Sequence, residues 1–255
     1  MITTPLSEQD TTLLDRAVAL AQKGLFTTKP NPRVGCVIAR EGKIIGEGWH
    51  VRAGQVHAEI AALIAADHDV RGADVFVSLE PCSHHGKTGP CATALIDAGV
   101  ARVVISMLDP NPEVSGRGVE MLRQAGIQVL ISDNPEQARM INSGFCLRME
   151  KGRPLVRLKI AATLDGRTAA SDGSSQWITG DSARKDVHTL RAMSCALITG
   201  IGTIRADNPR LNARVDSDVE QPLRVVVEGY HVVPPDAAIF NEAGRVLLVG
   251  PRSLP

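Results

Sequence analysis

Aromatic residues are scarce. One tyrosine, two tryptophans and four phenylalanines make up 3% of 255 residues. Single-stranded nucleic acid is gripped by stacking on such rings, so a nucleic-acid channel is not expected. An excess of one charge is missing as well: Lys+Arg and Asp+Glu both number 28, for a net charge of zero. A neutral chain has no overall attraction for a polyanion or an anionic membrane. No apolar run approaches the roughly 20 residues of a membrane span. The opening "MITTPLSEQDTTLLDRAVALAQKG" has neither the basic start nor the apolar core of a signal peptide. Five cysteines, an odd number in a long chain, do not form a disulfide framework. Reduced thiols and a cytoplasmic location are therefore expected. What is present, 44% hydrophobic and 22% charged residues, is ordinary globular composition for one large or two smaller domains. A small-molecule substrate is the default partner.

Two halves are legible. In the first, Leu13, Leu14, Ala17, Val18, Ala19 and Ala21 recur at helical spacing, and Gly24 is placed to end that helix. "VGCVIAR" and "KIIGEGW" are β-rich runs joined by a turn at Glu41-Gly42. Helical "HAEIAALIAA", "CATALIDAG" and "GRGVEMLRQAG" alternate with strand-like "ADVFVSL", "RVVISM" and "IQVLI". "PEQARMINSGFCLRMEKG" reads as one closing helix. Such alternation predicts an α/β three-layer domain over 1–150. "KGRP" (151–154) reads as a junction. A second unit, 151–255, begins with a strand at "LVRLKIAAT". It continues with a helix at "DSARKDVHTLRAM", a strand at "CALITG", a polar stretch 208–221, and strands at "LRVVVEG" and "RVLLVG". No G-x-G-x-x-G fingerprint occurs, so a Rossmann domain is not supported.

The chemistry concentrates in "VHAEI" and "LEPCSHHGKTGPC". His57 and Glu59 open a helix, Cys82 follows a buried strand, and Cys91 opens the next helix. Cys82 and Cys91 have eight residues between them, too many for a structural zinc ribbon. One imidazole and two thiolates suit zinc, and three protein ligands leave a catalytic position open. Zinc lowers the pKa of bound water towards neutrality. Glu59, two residues from His57, is placed to shuttle protons without being a ligand. Zinc nucleobase deaminases use such a His/Cys/Cys site, with a non-ligand Glu in an H-x-E…P-C-x-x-C pattern. Here H-A-E and P-C match and the second cysteine comes late. Cys36, Cys146 and Cys195 are assigned instead to the common fate of a lone cysteine, a small buried hydrophobe. The loop between the thiolates carries His84, His85 and Lys87, suited to a phosphate or an oxygen-rich heterocycle.

With "PNPRVG" (30–35), "GEGWH" (46–50) and "DPNPEVSGRG" (109–118), these residues resemble the bifunctional riboflavin-biosynthesis deaminase/reductase family. "LKIAATLDGRTA" (158–169), "SSQWIT" (174–179) and "TGIGTIRADNPRL" (199–211) resemble its reductase domain. The resemblance spans nearly the whole chain. It implies a cytidine-deaminase-like α/β/α domain followed by a dihydrofolate-reductase-like α/β domain. It also implies two successive steps: zinc-dependent hydrolytic deamination of 2,5-diamino-6-ribosylamino-4(3H)-pyrimidinone 5′-phosphate, then NADPH-dependent reduction of the ribosyl group to ribityl. A homo-oligomer, dimer or tetramer, is implied too.

By the same resemblance, Glu59 is the catalytic acid/base, and His57, Cys82 and Cys91 hold zinc. Asn31, His50, His84 and Lys87 contact the deaminase substrate. In the reductase half, Lys159, Ser175, Arg191, Asp207 and Arg214 fall on substrate positions, and Ala161, Trp177 and Thr203 on NADPH positions. Arginines suit the ribose phosphate through paired hydrogen bonds.

The sequence departs from the family pattern twice. Gly89 stands where proline is usual, which loosens the loop without removing a ligand. A glycine-rich segment that contacts the cofactor phosphates in the family is not found before Pro255, so the reductase domain is expected to be incomplete at its C-terminus. A chain that only deaminates is the alternative.

Overall fold

The structure is a computed structural model that describes residues 5–83, 89–112 and 114–250. The chain divides into two compact units, Met1–Val156 and Arg157–Pro255. The first unit contains α1 (Glu8–Gln22), β1 (Gly35–Arg40), β2 (Lys43–Trp49), α2 (Ala58–Ala65), β3 (Asp74–Val77), α3 (Cys91–Asp97), β4 (Arg102–Ile105), α4 (Arg117–Gln124), β5 (Gln128–Ile131), α5 (Glu136–Ile141) and α6 (Ser143–Lys151). Its strands form one sheet in the order β2-β1-β3-β4-β5. β1 pairs antiparallel with both β2 and β3, whereas β3, β4 and β5 run parallel.

Alternation along the strands builds three layers. Ile38, Val75, Val77, Val103 and Ile105 share a core with Ala58, Ala62, Leu95, Val119 and Leu122, so α2, α3 and α4 cover one face. Val37, Phe76 and Val104 point the other way, onto Leu13, Leu14, Ala17 and Leu20 of α1. Ser7 caps α1, its hydroxyl accepting from the Asp10 amide at 3.1 Å. Glu41 and Gly42 both take positive φ, 52° and 74°. That is the backbone of a two-residue hairpin turn matched to strand twist. Gly48 lets α2 lie directly on β2: a Cβ there would meet the Ala62 nitrogen at 2.4 Å. The helix that begins beside His57 is set against the sheet by this close approach.

The expected single closing helix is in fact two. At Asn142 the backbone leaves the helical region (φ −110°, ψ 15°). Its buried side chain acts instead as a partner for the backbone of Arg33, accepting from the amide at 2.8 Å and donating to the carbonyl at 2.9 Å. The break ties the closing helices to the segment that carries Asn31.

The second unit contains α7 (Asp181–Met193), β6 (Ala196–Gly200), α8 (Ile201–Asp207), β7 (Leu223–Val227), a 3-10 turn (Ala238–Asn241) and β8 (Val246–Val249). β6, β7 and β8 form a parallel sheet in that order. One face carries Val226 and Leu248 into a core with Ile204, Val233 and Ile239. On the other, Ile198 and Leu247 are exposed. Arg224 of β7 is buried, and its guanidinium donates to the carbonyls of Ile239, Glu242, Ala243 and Gly244, holding the turn before β8.

One expectation of secondary structure fails in this unit. "LVRLKIAAT" forms no strand; residues 155–160 are exposed and pair with no ladder among the described residues. α8 is not among the elements expected from the sequence; Ile201 and Ile204 are spaced to enter the core together. Cys36 and Cys146 are buried as expected, but Cys195 is exposed, at the very start of the sheet edge.

Candidate active sites

The strand directions bring five segments of the first unit to one edge of its sheet. β3 and β4 end there, while β1, antiparallel, begins there and β2 ends there. Asn31, His50, His57, Cys82 and the loop after β4 therefore converge where open α/β sheets usually bind ligands. His57 takes the N-cap position of α2, and Cys91 is the first residue of α3 behind Pro90.

The ligand atoms of His57, Cys82 and Cys91 all lie within 4.8 Å of one another. His57 Nδ1 is 3.6 Å from Cys82 Sγ and 3.3 Å from Cys91 Sγ. Zinc–nitrogen and zinc–sulfur bonds at a tetrahedral angle would put such atoms about 3.5 Å apart, so these three residues fit the metal. The electrostatics agree. Cys82 is held well below its ordinary thiol value by hydrogen bonds from Cys91 and His57, and the neighbouring thiolate drives Cys91 far up. A second thiolate beside the first needs a cation between them. Hydrogen bonding to Cys82 raises His57.

Glu59 sits in the first turn of α2, buried. Its carboxyl is pushed up to about 7, chiefly by burial and then by the Cys82 thiolate. A carboxyl poised near neutrality is suited to accept a proton and return it. His50 is buried, and its two ring nitrogens have settled roles. Nδ1 faces the Val56 carbonyl at 3.0 Å, which can only accept, so Nδ1 carries the proton. Nε2 is then the acceptor for the Asn31 amide at 3.1 Å. Burial lowers the His50 pKa, which keeps the ring neutral. His84 and Lys87 lie outside the described residues.

The second unit holds a cleft of about 570 Å³. Of the reductase residues singled out in the sequence, Lys159, Ala161, Ser175, Trp177, Arg191, Asp207 and Arg214 line it. Thr203 does not; it is exposed on α8. Burial and the nearby Arg214 lower the Arg191 pKa. Asn212 braces both arginines: its carbonyl accepts from Arg191 and its side-chain oxygen from Arg214. Two cations held side by side favour an anionic ligand.

Sequence reasoning missed three ionisable lining residues, Arg184, His188 and Arg210. Arg184 lies 4.2 Å over the Trp177 ring. His188 Nδ1 accepts from the Arg214 amide at 3.2 Å. A signal was available: 184, 188 and 191 follow i, i+4, i+7 on α7 and share one helix face.

Both halves match known proteins. Residues 7–107 match the cytidine and deoxycytidylate deaminase zinc-binding region, and residues 154–252 the RibD C-terminal domain. The riboflavin biosynthesis protein RibD of Haemophilus influenzae is 47% identical over 262 residues, covering 97% of this chain and 70% of that protein. The Escherichia coli RibD is 49% identical over 249 residues, covering 93% and 68%. The chain belongs to the RibD family. A solved RibD of Acinetobacter baumannii superposes with a TM-score of 0.91 at 47% identity, over 96% of this chain and 70% of that one. The Thermotoga maritima diaminohydroxyphosphoribosylaminopyrimidine deaminase/5-amino-6-(5-phosphoribosylamino)uracil reductase gives 0.88 at 41%, over 95% and 70%. As a RibD protein, the chain is a bifunctional riboflavin-biosynthesis enzyme that joins a zinc-binding deaminase domain to an NADPH-dependent reductase domain. No described helix is long and apolar enough to cross a membrane.

Proposed function

We propose that residues 1–150 deaminate the diaminopyrimidine ribosyl phosphate named for the Thermotoga relative, and that residues 151–255 belong to the domain that reduces its ribosyl group. The observation that carries the reading is the convergence of His57, Cys82 and Cys91 within 4.8 Å beside the buried carboxyl of Glu59.

His57 Nδ1 and the two sulfurs hold zinc. Bound there, zinc supplies the Lewis acidity that brings a water to reactivity near neutral pH. Glu59 takes a proton from the attacking water and delivers it to the ring nitrogen. A second transfer through the same carboxyl lets the amino group leave as ammonia. Substrate and water thus become the oxo-pyrimidine and ammonia, with no redox change. Asn31, held by His50, reads the edge of the ring. The assignment of His84 and Lys87 to the substrate rests on the family resemblance alone, since both lie outside the described residues.

In the reductase cleft, Arg191 and Arg214 bind the ribose phosphate, and Ser175 adds a hydroxyl. Lys159 and Asp207 orient the sugar carbonyl for hydride transfer. Ala161, Trp177 and Thr203 lie on the NADPH side; Thr203 rests on the family resemblance alone, being outside the cleft lining. The thiols Cys82 and Cys91 must stay reduced to bind metal, which supports a cytoplasmic enzyme. The family resemblance supports a homo-oligomer.

The test is metal content of this chain, then ammonia release from the diaminopyrimidine ribosyl phosphate, then NADPH oxidation in the same tube. One zinc per chain with ammonia release before NADPH is added is the expected result. Zinc with no ammonia release would remove the substrate assignment. Ammonia release without NADPH oxidation would confine this chain to the first step.

A further inference from the structure

Glu80 lies two residues before Cys82 and has no part in the chemistry above. It is buried, yet no lysine, arginine or histidine pairs with it among the described residues. Its carboxylate is instead filled by backbone. Oε2 accepts from the amides of Asp109 at 3.1 Å and Gly116 at 3.0 Å. Oε1 accepts from Gly118 at 2.9 Å and Val119 at 3.2 Å. A carboxylate offers about four lone-pair sites, and each is taken.

The four donors belong to one structure, the loop after β4 and the first turn of α4. Gly116 is the N-cap residue of α4 and has no side chain to cap it. Gly118 and Val119 are the second and third helical residues, whose amides an N-cap side chain would normally satisfy. Glu80 supplies that cap from a different strand end. The Glu80 amide also donates to the Met107 carbonyl at 3.0 Å, so backbone and side chain both bind the β4 exit.

A second observation points the same way. A Cβ on Gly118 would meet the carbonyl oxygen of Pro81 at 2.1 Å. The start of α4 therefore rests directly on the peptide that joins Pro81 to Cys82. α4 in turn packs beside α3, whose first residue is Cys91.

We propose that Glu80 is a positioning residue of the deaminase site. It clamps residues 109–119 against the Pro81–Cys82 peptide and so fixes where the Cys82 sulfur stands relative to Cys91 and His57. Its acceptor-only character is essential. A glutamine keeps one oxygen and turns an NH2 group towards two N–H donors, so two bonds become two clashes. The inference rests on His57, Cys82 and Cys91 being the metal ligands.

The experiment titrates the metal-free full chain with Co2+ and follows the thiolate-to-cobalt absorption, for wild type, Glu80→Gln and Gly118→Ala. Gly118→Ala leaves the carboxylate intact and pushes α4 off the Pro81 carbonyl. Assays are run well below each variant's melting temperature. Both variants are expected to bind cobalt about 10-fold more weakly, with a shifted thiolate band and about 10-fold or more slower ammonia release. Wild-type cobalt affinity and spectrum in both variants, with only the melting temperature lowered, would overturn the proposal. A variant that stays unfolded in the cold would overturn it too, since the clamp would then serve the fold and not the site. A wild-type chain that binds no cobalt would instead remove the ligand assignment beneath it.

Discussion

The Nδ1 nitrogen of His57 lies 3.3 Å from the sulfur of Cys91, although the two residues are 34 positions apart. Only the sheet edge explains the meeting. β2 ends and β3 ends on the same side, and each is followed by a helix whose first turn faces the same point. The Cys91 thiol is driven far up by the neighbouring Cys82 thiolate. Metal binding is what releases its proton. Cys91→Ser replaces a soft thiolate with a hydroxyl that does not ionise. We expect zinc, measured by atomic absorption after dialysis, to fall from one per chain to near zero. Ammonia release should fall by more than about 100-fold, beyond the usual effect of an outer-shell change.

Glu59→Gln separates the proton shuttle from the metal. The carboxyl is buried and its value is raised by that burial; the amide is nearly isosteric and removes a desolvated acid without leaving a charge unpaired. Zinc content and melting temperature should stay at or above wild type. The rate of ammonia release should drop by about 100- to 10,000-fold, the usual contribution of a positioned acid/base. Full turnover in this variant would sink the mechanism.

The sequence made the metal constellation legible because its residues sit at element boundaries: one imidazole opening α2, one thiol opening α3, one thiol just past β3. Strand alternation likewise made the three layers of the first unit legible, since Val37 and Ile38 must face opposite ways. Long-range satisfaction of backbone groups was not legible. Asn142 breaks a helix in order to pair with the Arg33 backbone 109 positions away, and no local pattern announces that. Glu80 is silent for the same reason, since its four partners are main-chain amides of any residue type. The segment "LVRLKIAAT" shows the converse limit. It has strand composition, but a strand exists only where an edge is available to pair with it.

The hydrogen-bond order around His50 makes a directional claim about Asn31. Nδ1–H is committed to Val56, so Nε2 must accept, and Asn31 must present its NH2 group to the ring. On the proposed reading of Asn31 as a substrate contact, its carbonyl oxygen is the atom that accepts from the substrate. Asn31→Asp cannot donate to Nε2 and sets a carboxylate against a lone pair. A buried acceptor left without its donor costs about 1–3 kcal/mol. We expect kcat/KM for deamination to fall by about 5- to 150-fold with zinc content unchanged. Retained kcat/KM would show that the amide orientation has no bearing on the substrate.

Far from the metal, Arg102 of β4 joins α1 to the sheet. Its guanidinium donates to both oxygens of Asp10, at 2.8 and 3.0 Å, and to Asp74 at 2.7 Å. Burial by itself would raise the Asp10 carboxyl, but the bonds from Arg102 and Ser7 outweigh it and hold the group below its ordinary value. A carboxyl depressed in the folded state adds stability that is fully present above its unfolded value, about 3.9. That stability is lost as pH falls through the lower folded value. Asp10→Asn keeps the shape and removes the charge. It should lower urea-unfolding stability of the first unit by about 1.5–3 kcal/mol at pH 7, the range for hydrogen bonds to a charged group. Below the folded pKa of Asp10 the wild type has lost the same charge, so the two proteins should there converge in urea midpoint. A gap that stayed constant from pH 7 into that acid range would mean that the carboxylate charge is not what binds α1 to β4.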